Sequence, residues 1–368
     1  CNRMGTAVPT MEERVKNRIG KIEIAGQIID REAMEQARQQ WDSVAKPLNS
    51  LGKLEELIIQ IAGIQKTPHI KLQKKEVLVY CADNGVVAEG ISQSDSSVTS
   101  MVAHSMAEGR ANINIMAGQA GAKVTPVDVG MKDVVNHAGL IQHKIMPGTR
   151  NFAKEPAMRA EQCQQAILTG IELVGQKAAE GVNIIAIGEM GIGNTTTSSA
   201  VASVLLDRPV EEMTGKGAGL SSEGLIHKKQ IIEQAISRYH LREADAFDTL
   251  CKVGGLDIAA MAGTCIGGMM YGIPIVLDGF ISVVAALTAV HMVPGCRPYL
   301  IPSHVSTEPA AIAVLESMDM HPVVHADMCL GEGTGAVLLF PILDIALAEY
   351  DTAHTFGEIA LKPYEHLE

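Results

Sequence analysis

Aromatic residues make up only 3% of this 368-residue chain, with a single Trp, and basic residues are outnumbered by acidic ones, 30 to 42. A formal charge of −12 argues against nucleic acid as a partner, since a duplex or single strand is held by a basic face. The seven cysteines (1, 81, 163, 251, 265, 296 and 329) are odd in number and never spaced C-x-x-C, so neither a disulfide framework nor a zinc ribbon is indicated. They read as reduced, mostly buried thiols of a cytoplasmic protein. No uncharged apolar run reaches the length of a membrane span, and the longest, Ile281 to Val290, is core length. Cys1 to Thr10 lacks the apolar centre of a signal peptide, and residues 1–20 are expected to be a disordered lead. Internal repeats, low-complexity linkers, a Walker A motif and G-x-G-x-x-G are all missing, which removes the usual nucleotide-binding signatures.

What is present is a large apolar content, 47%, with 35 glycines. That composition buries a sizeable core. Residues 30 to 64 read as helical, with Met34, Ala37, Trp41 and Val44 at spacings of three and four. Pro47 is expected to break the first helix, and Ser50 to cap a second carrying Leu54, Leu57, Ile58 and Ile61 on one face. The pair is expected to dock as a small cap.

Beyond Thr67-Pro68 the pattern changes to short β-branched runs separated by helical stretches. The runs are Glu76–Cys81, Lys123–Gly130, Asn183–Ile187, Pro274–Leu277, Tyr299–Ile301 and Val323-Val324. Such alternation gives an α/β fold with a mostly parallel sheet and helices on both faces. Ligands bind such sheets beyond the carboxyl ends of the strands. Polar residues gather there: Asp83, Glu189, Asp278, Ser303, His304 and Glu332.

Three loops carry candidate chemistry. In Leu330-Gly331-Glu332-Gly333-Thr334-Gly335-Ala336 one carboxylate sits between glycines, downstream of the apolar Pro322-Val323-Val324, which reads as a buried strand. Partial desolvation would raise the pKa of Glu332 and suit it to act as a base, although a tight turn with a solvated Glu has the same pattern. Gly188 to Asn194 runs into Thr195–Ser199, a strand, turn and helix start able to cradle an anion. A second Gly-rich loop, Gly215 to Leu220, precedes Lys228 and Lys229, either of which could meet a phosphate or simply be solvated. His304, His321 and His325 match no standard zinc spacing, so no metal is assigned.

Together these segments closely resemble the nicotinate-nucleotide:dimethylbenzimidazole phosphoribosyltransferases of cobamide biosynthesis. The matching segments are Lys46–Glu55, Ala82–Val86, Gly188–Thr196, Val253–Asp257, Leu277–Phe280, Arg297–His304 and Leu330–Gly335, across residues 30 to 350 or so. The resemblance implies a Rossmann-like domain over 66–344 and a small helical domain built from 21–65 and 345–368. It implies a homodimer whose partner subunit helps complete each site, or a heterodimer with a paralogue. The implied reaction converts nicotinate mononucleotide and 5,6-dimethylbenzimidazole to α-ribazole 5′-phosphate and nicotinate, with no cofactor. By match to the motifs Glu332 is the general base. Glu189, Gly191, Gly193, Asn194, Gly217, Lys228, Ser303, Ser306 and Gly333 fall to the nucleotide, and Asp83, Ser94, Val102, Met190 and Leu330 to the aromatic base.

The chain departs from that pattern in three places. Asn84 stands where the family usually has His, and Cys329 where it usually has Arg. The stretch Ser92–Ser97 lacks the common Pro, and Val102 stands where Gln can occur, which makes the base pocket more apolar. Transfer to phenol or p-cresol is therefore an alternative. A non-catalytic paralogous subunit is a second, and a dehydrogenase on a similar sheet is a third, disfavoured by the missing G-x-G-x-x-G.

Overall fold

The computed structural model describes residues 28–366. The expected disordered lead, residues 1–20, lies outside them. Six strands form one parallel sheet: β1 (Lys75–Ala82), β2 (Ala122–Gly130), β3 (Ile141–Gln142), β4 (Ile184–Met190), β5 (Ile275–Leu277) and β6 (Leu300–Pro302), in the order β3-β2-β1-β4-β5-β6. The order reverses between β1 and β4, the switch point at which such sheets open a crevice.

β1 shows why the sheet is covered on both faces. Its side chains alternate, with Leu78, Tyr80 and Ala82 in one apolar core and Val77, Val79 and Cys81 in another. The first core holds the helices Ala160–Ala179 and Leu256–Tyr271, which approach closely through glycine. A Cβ on Gly170 would lie 2.0 Å from the Ala260 carbonyl, and one on Gly263 would lie 2.0 Å from the Ile167 carbonyl. The second core runs from the sheet to Trp41, Ile58 and Tyr350.

The N-terminal helix pair is observed at Arg31–Ser43 and Lys53–Gln65. Asp30 caps the first helix through the Ala33 N–H at 3.0 Å, and that helix ends at Ser43, before Pro47 acts. Ser50 does not cap the second. Gly52 holds the N-cap position, and Glu55 folds back to accept from the Leu51 N–H at 2.9 Å and from Lys46 at 2.6 Å. Trp41 packs edge-on against Tyr350 at 5.1 Å.

The run at Val323-Val324 is a second correction. The strand there, β8 (Val324–Met328), is outside the main sheet and largely exposed. It pairs in parallel with β7 (His304–Ser306), which the sequence pattern did not indicate. A two-residue spacing of apolar side chains identifies a strand but not which sheet receives it. No helix among the described residues is long and apolar enough to cross a membrane.

Candidate active site

The carboxyl ends of β4 and β5 and the β7–β8 pair converge on a cavity of about 320 Å³, within the range of small-molecule sites. Val102, Met190, Met328 and Leu330 contribute apolar wall, and Asn194, Thr195, Ser306 and Thr307 contribute polar wall. Four carboxylates line it: Glu189, Asp278, Glu308 and Glu332. Among the described residues no Lys or Arg does.

Glu332 is 6% exposed. Its backbone is left-handed, φ 63°, between Gly331 at φ 83° and Gly333 at φ 90°. A non-glycine residue held there costs on the order of 1–3 kcal/mol and needs surroundings that fix it. Asp278, at the end of β5, supplies them. Its carboxylate accepts from the N–H groups of Gly333 (3.1 Å), Gly335 (2.8 Å) and Ala336 (3.0 Å), capping the helix Thr334–Thr352 from another element. Thr334 closes the turn with its hydroxyl on the Gly331 carbonyl at 2.7 Å. The Glu332 carboxylate then reaches the Ile113 N–H at 3.3 Å. Burial pushes its pKa up from the usual carboxylate value, and the Ile113 and Asn112 contacts oppose this only in part. The result is a carboxylate made more basic by desolvation.

Glu189, at the end of β4, is bridged to Asp257 by one amide. Asn194 donates from its side-chain nitrogen to Glu189 and to Asp257, the latter at 3.1 Å. Burial, and then the neighbouring Asp257, push Glu189 up to about 8, and burial pushes Asp257 up to about 6. Near neutrality the pair therefore retains a proton, chiefly on Glu189. Asn84 donates to the Ile192 carbonyl at 3.3 Å, tying the end of β1 to the Gly191 loop.

Of the residues the sequence singled out, Glu189, Gly191, Asn194, Gly217, Ser306 and Glu332 line the cavity, with Val102, Met190 and Leu330. Gly193 and Gly333 sit at left-handed turns opening the helices Asn194–Leu205 and Thr334–Thr352. Ser303 lies behind the wall, its hydroxyl 3.0 Å from His304 Nδ1. Asp83 is buried on the Lys132 N–H at 2.7 Å, and Ser94 lies on the loop before the helix Ser97–Ala107; neither lines the cavity. Lys228 is fully buried beneath the polar wall, donating to Thr195 Oγ1 at 2.9 Å and to the Gly215 carbonyl at 3.1 Å. Burial lowers its pKa to about 8. Among the described residues, no three or more His, Cys, Asp or Glu side chains are grouped to hold a metal ion.

Four contributors had no role assigned from sequence. Asp278 and Asp257 fell inside conspicuous segments, Leu277-Asp278-Gly279 and Gly254-Gly255-Leu256-Asp257, so a signal existed. Glu308 and the Ile113 N–H carried none, because each reaches the site only through tertiary packing.

Known proteins resemble this chain over about nine-tenths of its length. A family described as phosphoribosyltransferases matches residues 27–360. A relative from Ruminiclostridium cellulolyticum, named nicotinate-nucleotide–dimethylbenzimidazole phosphoribosyltransferase, is 46% identical over 337 residues, 92% of this chain and 96% of its own. One of the same name from Clostridium acetobutylicum is 42% identical, covering 92% and 96%. A crystal structure of a protein given that name, from Thermus thermophilus, superposes with a TM-score of 0.85 at 38% identity, covering 91% of this chain and all of that one.

Proposed function

The chain belongs to the nicotinate-nucleotide:dimethylbenzimidazole phosphoribosyltransferase family, and from that premise we propose that it transfers the phosphoribosyl group of nicotinate mononucleotide to 5,6-dimethylbenzimidazole. The observation that carries the reading is Glu332, a desolvated carboxylate fixed by Asp278 beside an apolar wall. Nicotinate in the mononucleotide is a pyridinium and leaves without a general acid. The incoming azole carries an N–H proton, and Glu332 takes it as the second ring nitrogen attacks C1′. A positioned base of this kind typically contributes about 10²–10⁴ in rate. Attack opposite the leaving group converts a β-riboside to an α-riboside. Glu189, holding its proton near neutrality, adds no full charge beside the incoming anion.

The phosphate is assigned to Thr195 and the Gly217 loop, with Lys228 beneath them. Binding energy from that remote group orients C1′. Lys228→Ala is expected to weaken nicotinate mononucleotide by about 1.5–3 kcal/mol, because Thr195 and the Gly215 loop lose the charge that holds and polarises them. Isothermal titration showing unchanged affinity would move the role to Lys216 or Lys229.

The titrations give a sign. Lys228 is charged below about 8, and Glu189 gains its charge as the pH rises past about 8. Both changes disfavour an anion as the pH rises. The ligand phosphate, with a second pKa of about 6, stays doubly charged over the same range. The dissociation constant for nicotinate mononucleotide is therefore expected to rise about tenfold between pH 7 and 9. A constant value across that range would exclude both groups from the phosphate's surroundings.

The accepting base is tested with a panel of benzimidazoles, adenine, phenol and p-cresol. Val102 offers no hydrogen bond, so shape decides more than polarity. 5,6-Dimethylbenzimidazole is expected to react, with unsubstituted benzimidazole within about ten- to thirtyfold in kcat/KM, since each of the two lost methyl contacts is worth about 1 kcal/mol at most. Turnover of phenol or p-cresol with dimethylbenzimidazole ignored would replace the substrate. Absence of nicotinate release with every base would favour a non-catalytic subunit. We place the protein in the cytoplasm, supported by the unpaired, buried Cys81, Cys163, Cys251, Cys265 and Cys296. We also infer a homodimer: Leu330 lines the cavity yet is 52% exposed, a rim that a partner subunit would cover.

A further inference from the structure

The phosphate position proposed above already holds a carboxylate. Glu308 lies on the segment between β7 and the helix Ala311–Ser317. Its Oε1 accepts from the Gly217 N–H at 3.1 Å. Its Oε2 is buried and accepts nothing. That oxygen lies over Gly215, where a Cβ would meet it at 2.1 Å. The neighbouring cation is Lys228, whose amine is tied to Thr195 and the Gly215 carbonyl, and Glu308 offsets part of what burial does to it. A phosphate and the Glu308 carboxylate cannot use the Gly217 N–H and the Lys228 charge together.

We propose that Glu308 is a built-in occupant of the phosphate subsite, displaced when the phosphate of the nucleotide arrives. The proposal rests on the phosphate placement given under Proposed function. In the free enzyme Glu308 gives the buried Lys228 a counter-charge, which an isolated buried cation requires. Glu308 is only half-buried, so its side chain has a route to solvent. Gly217 (φ +58°) and Gly219 (φ +87°) occupy backbone regions that favour glycine, in the loop that must receive the new ligand.

The arrangement also selects among ligands. A tethered carboxylate acts at an effective concentration on the order of millimolar or above. A free monocarboxylate, such as the released nicotinate, must compete with it for the same donors. A phosphate dianion brings more charge and more acceptor oxygens and displaces it.

The test is Glu308→Gln, which keeps an acceptor for the Gly217 N–H and removes the charge. Calorimetry is run with nicotinate mononucleotide, ribose 5-phosphate and the phosphate-free nicotinate riboside. Both phosphate-bearing ligands are expected to bind about 5–10-fold more tightly to the variant, with the riboside changed by less than about twofold. Glu308→Asp, too short to reach Gly217, is expected to shift the same ligands in the same direction by less. It supplies the answer should the Gln variant fold poorly. Weaker binding of riboside and mononucleotide alike would make Glu308 a sugar ligand and overturn the proposal. Unchanged affinities for the phosphate-bearing ligands would overturn it as well. If the unsubstituted enzyme binds riboside and mononucleotide equally, the phosphate placement itself fails, and this proposal with it.

Discussion

Glu332→Gln is expected to lower turnover by about 10²-fold or more while nicotinate mononucleotide binds nearly as before. Gln is isosteric and keeps an acceptor for the Ile113 N–H, so the loop has no reason to move. What it loses is the ability to take a proton. The variant is also expected to melt at the same temperature or higher. The folded-state pKa of Glu332 is raised by burial, so its charged form destabilises the fold above that pKa, and the penalty vanishes on removing the charge. Lost activity with undiminished stability is the signature of a group kept for function. Near-normal turnover in single-turnover assays would rule the assignment out.

The second large effect comes from a residue with no side chain. Gly188 on β4 lies flat against the catalytic loop, and a Cβ there would fall 2.5 Å from the Glu332 carbonyl carbon and oxygen and from the Gly333 nitrogen. Those are backbone atoms and cannot rotate away. Asp278 holds the same loop through three N–H groups, so the strain cannot be relieved without moving Glu332. Gly188→Ala is therefore expected to lower kcat by about 10²-fold, the usual consequence of misplacing a reacting group by about 1 Å. Mononucleotide affinity should change by no more than about threefold, and circular dichroism should show a folded protein. A variant with the kcat of the parent enzyme would mean that the loop yields freely.

The strand–helix alternation was legible because a sheet covered on both faces demands apolar runs of strand length. Five of the six expected strands fall in the parallel sheet. The sixth, at Val323-Val324, went to a separate pair because apolar spacing says nothing about which neighbour is hydrogen-bonded. Glu332 could be singled out from its flanking glycines, since a left-handed turn beside a ligand leaves that trace. Its surroundings could not, because the N–H that meets its carboxylate comes from Ile113, more than two hundred positions away. The same limit applies to Ser50. A capping hydroxyl was the natural expectation, but Gly52 holds the N-cap without a side-chain cap, and Glu55 instead ties down the Leu51 N–H just before it. Lys228, by sequence either a phosphate partner or a solvated side chain, is fully buried rather than solvated, a placement set by Thr195 and Gly215 across the fold.

The helix that follows Glu332 also joins the catalytic loop to the terminal packing. It runs from Thr334 to Thr352, about 28 Å at 1.5 Å per residue, and ends with Tyr350 against Trp41. Pro341 lies inside it and lacks the N–H that would bond one turn back. The turns before Pro341 are anchored by Asp278, and those after it are held both to the sheet, where Asp344 pairs with Lys75 of β1 at 2.7 Å, and to Trp41. The proton acceptor and the terminal packing are thus fastened to one helix, held at its start by Asp278, near its middle by Lys75 and at its end by Trp41.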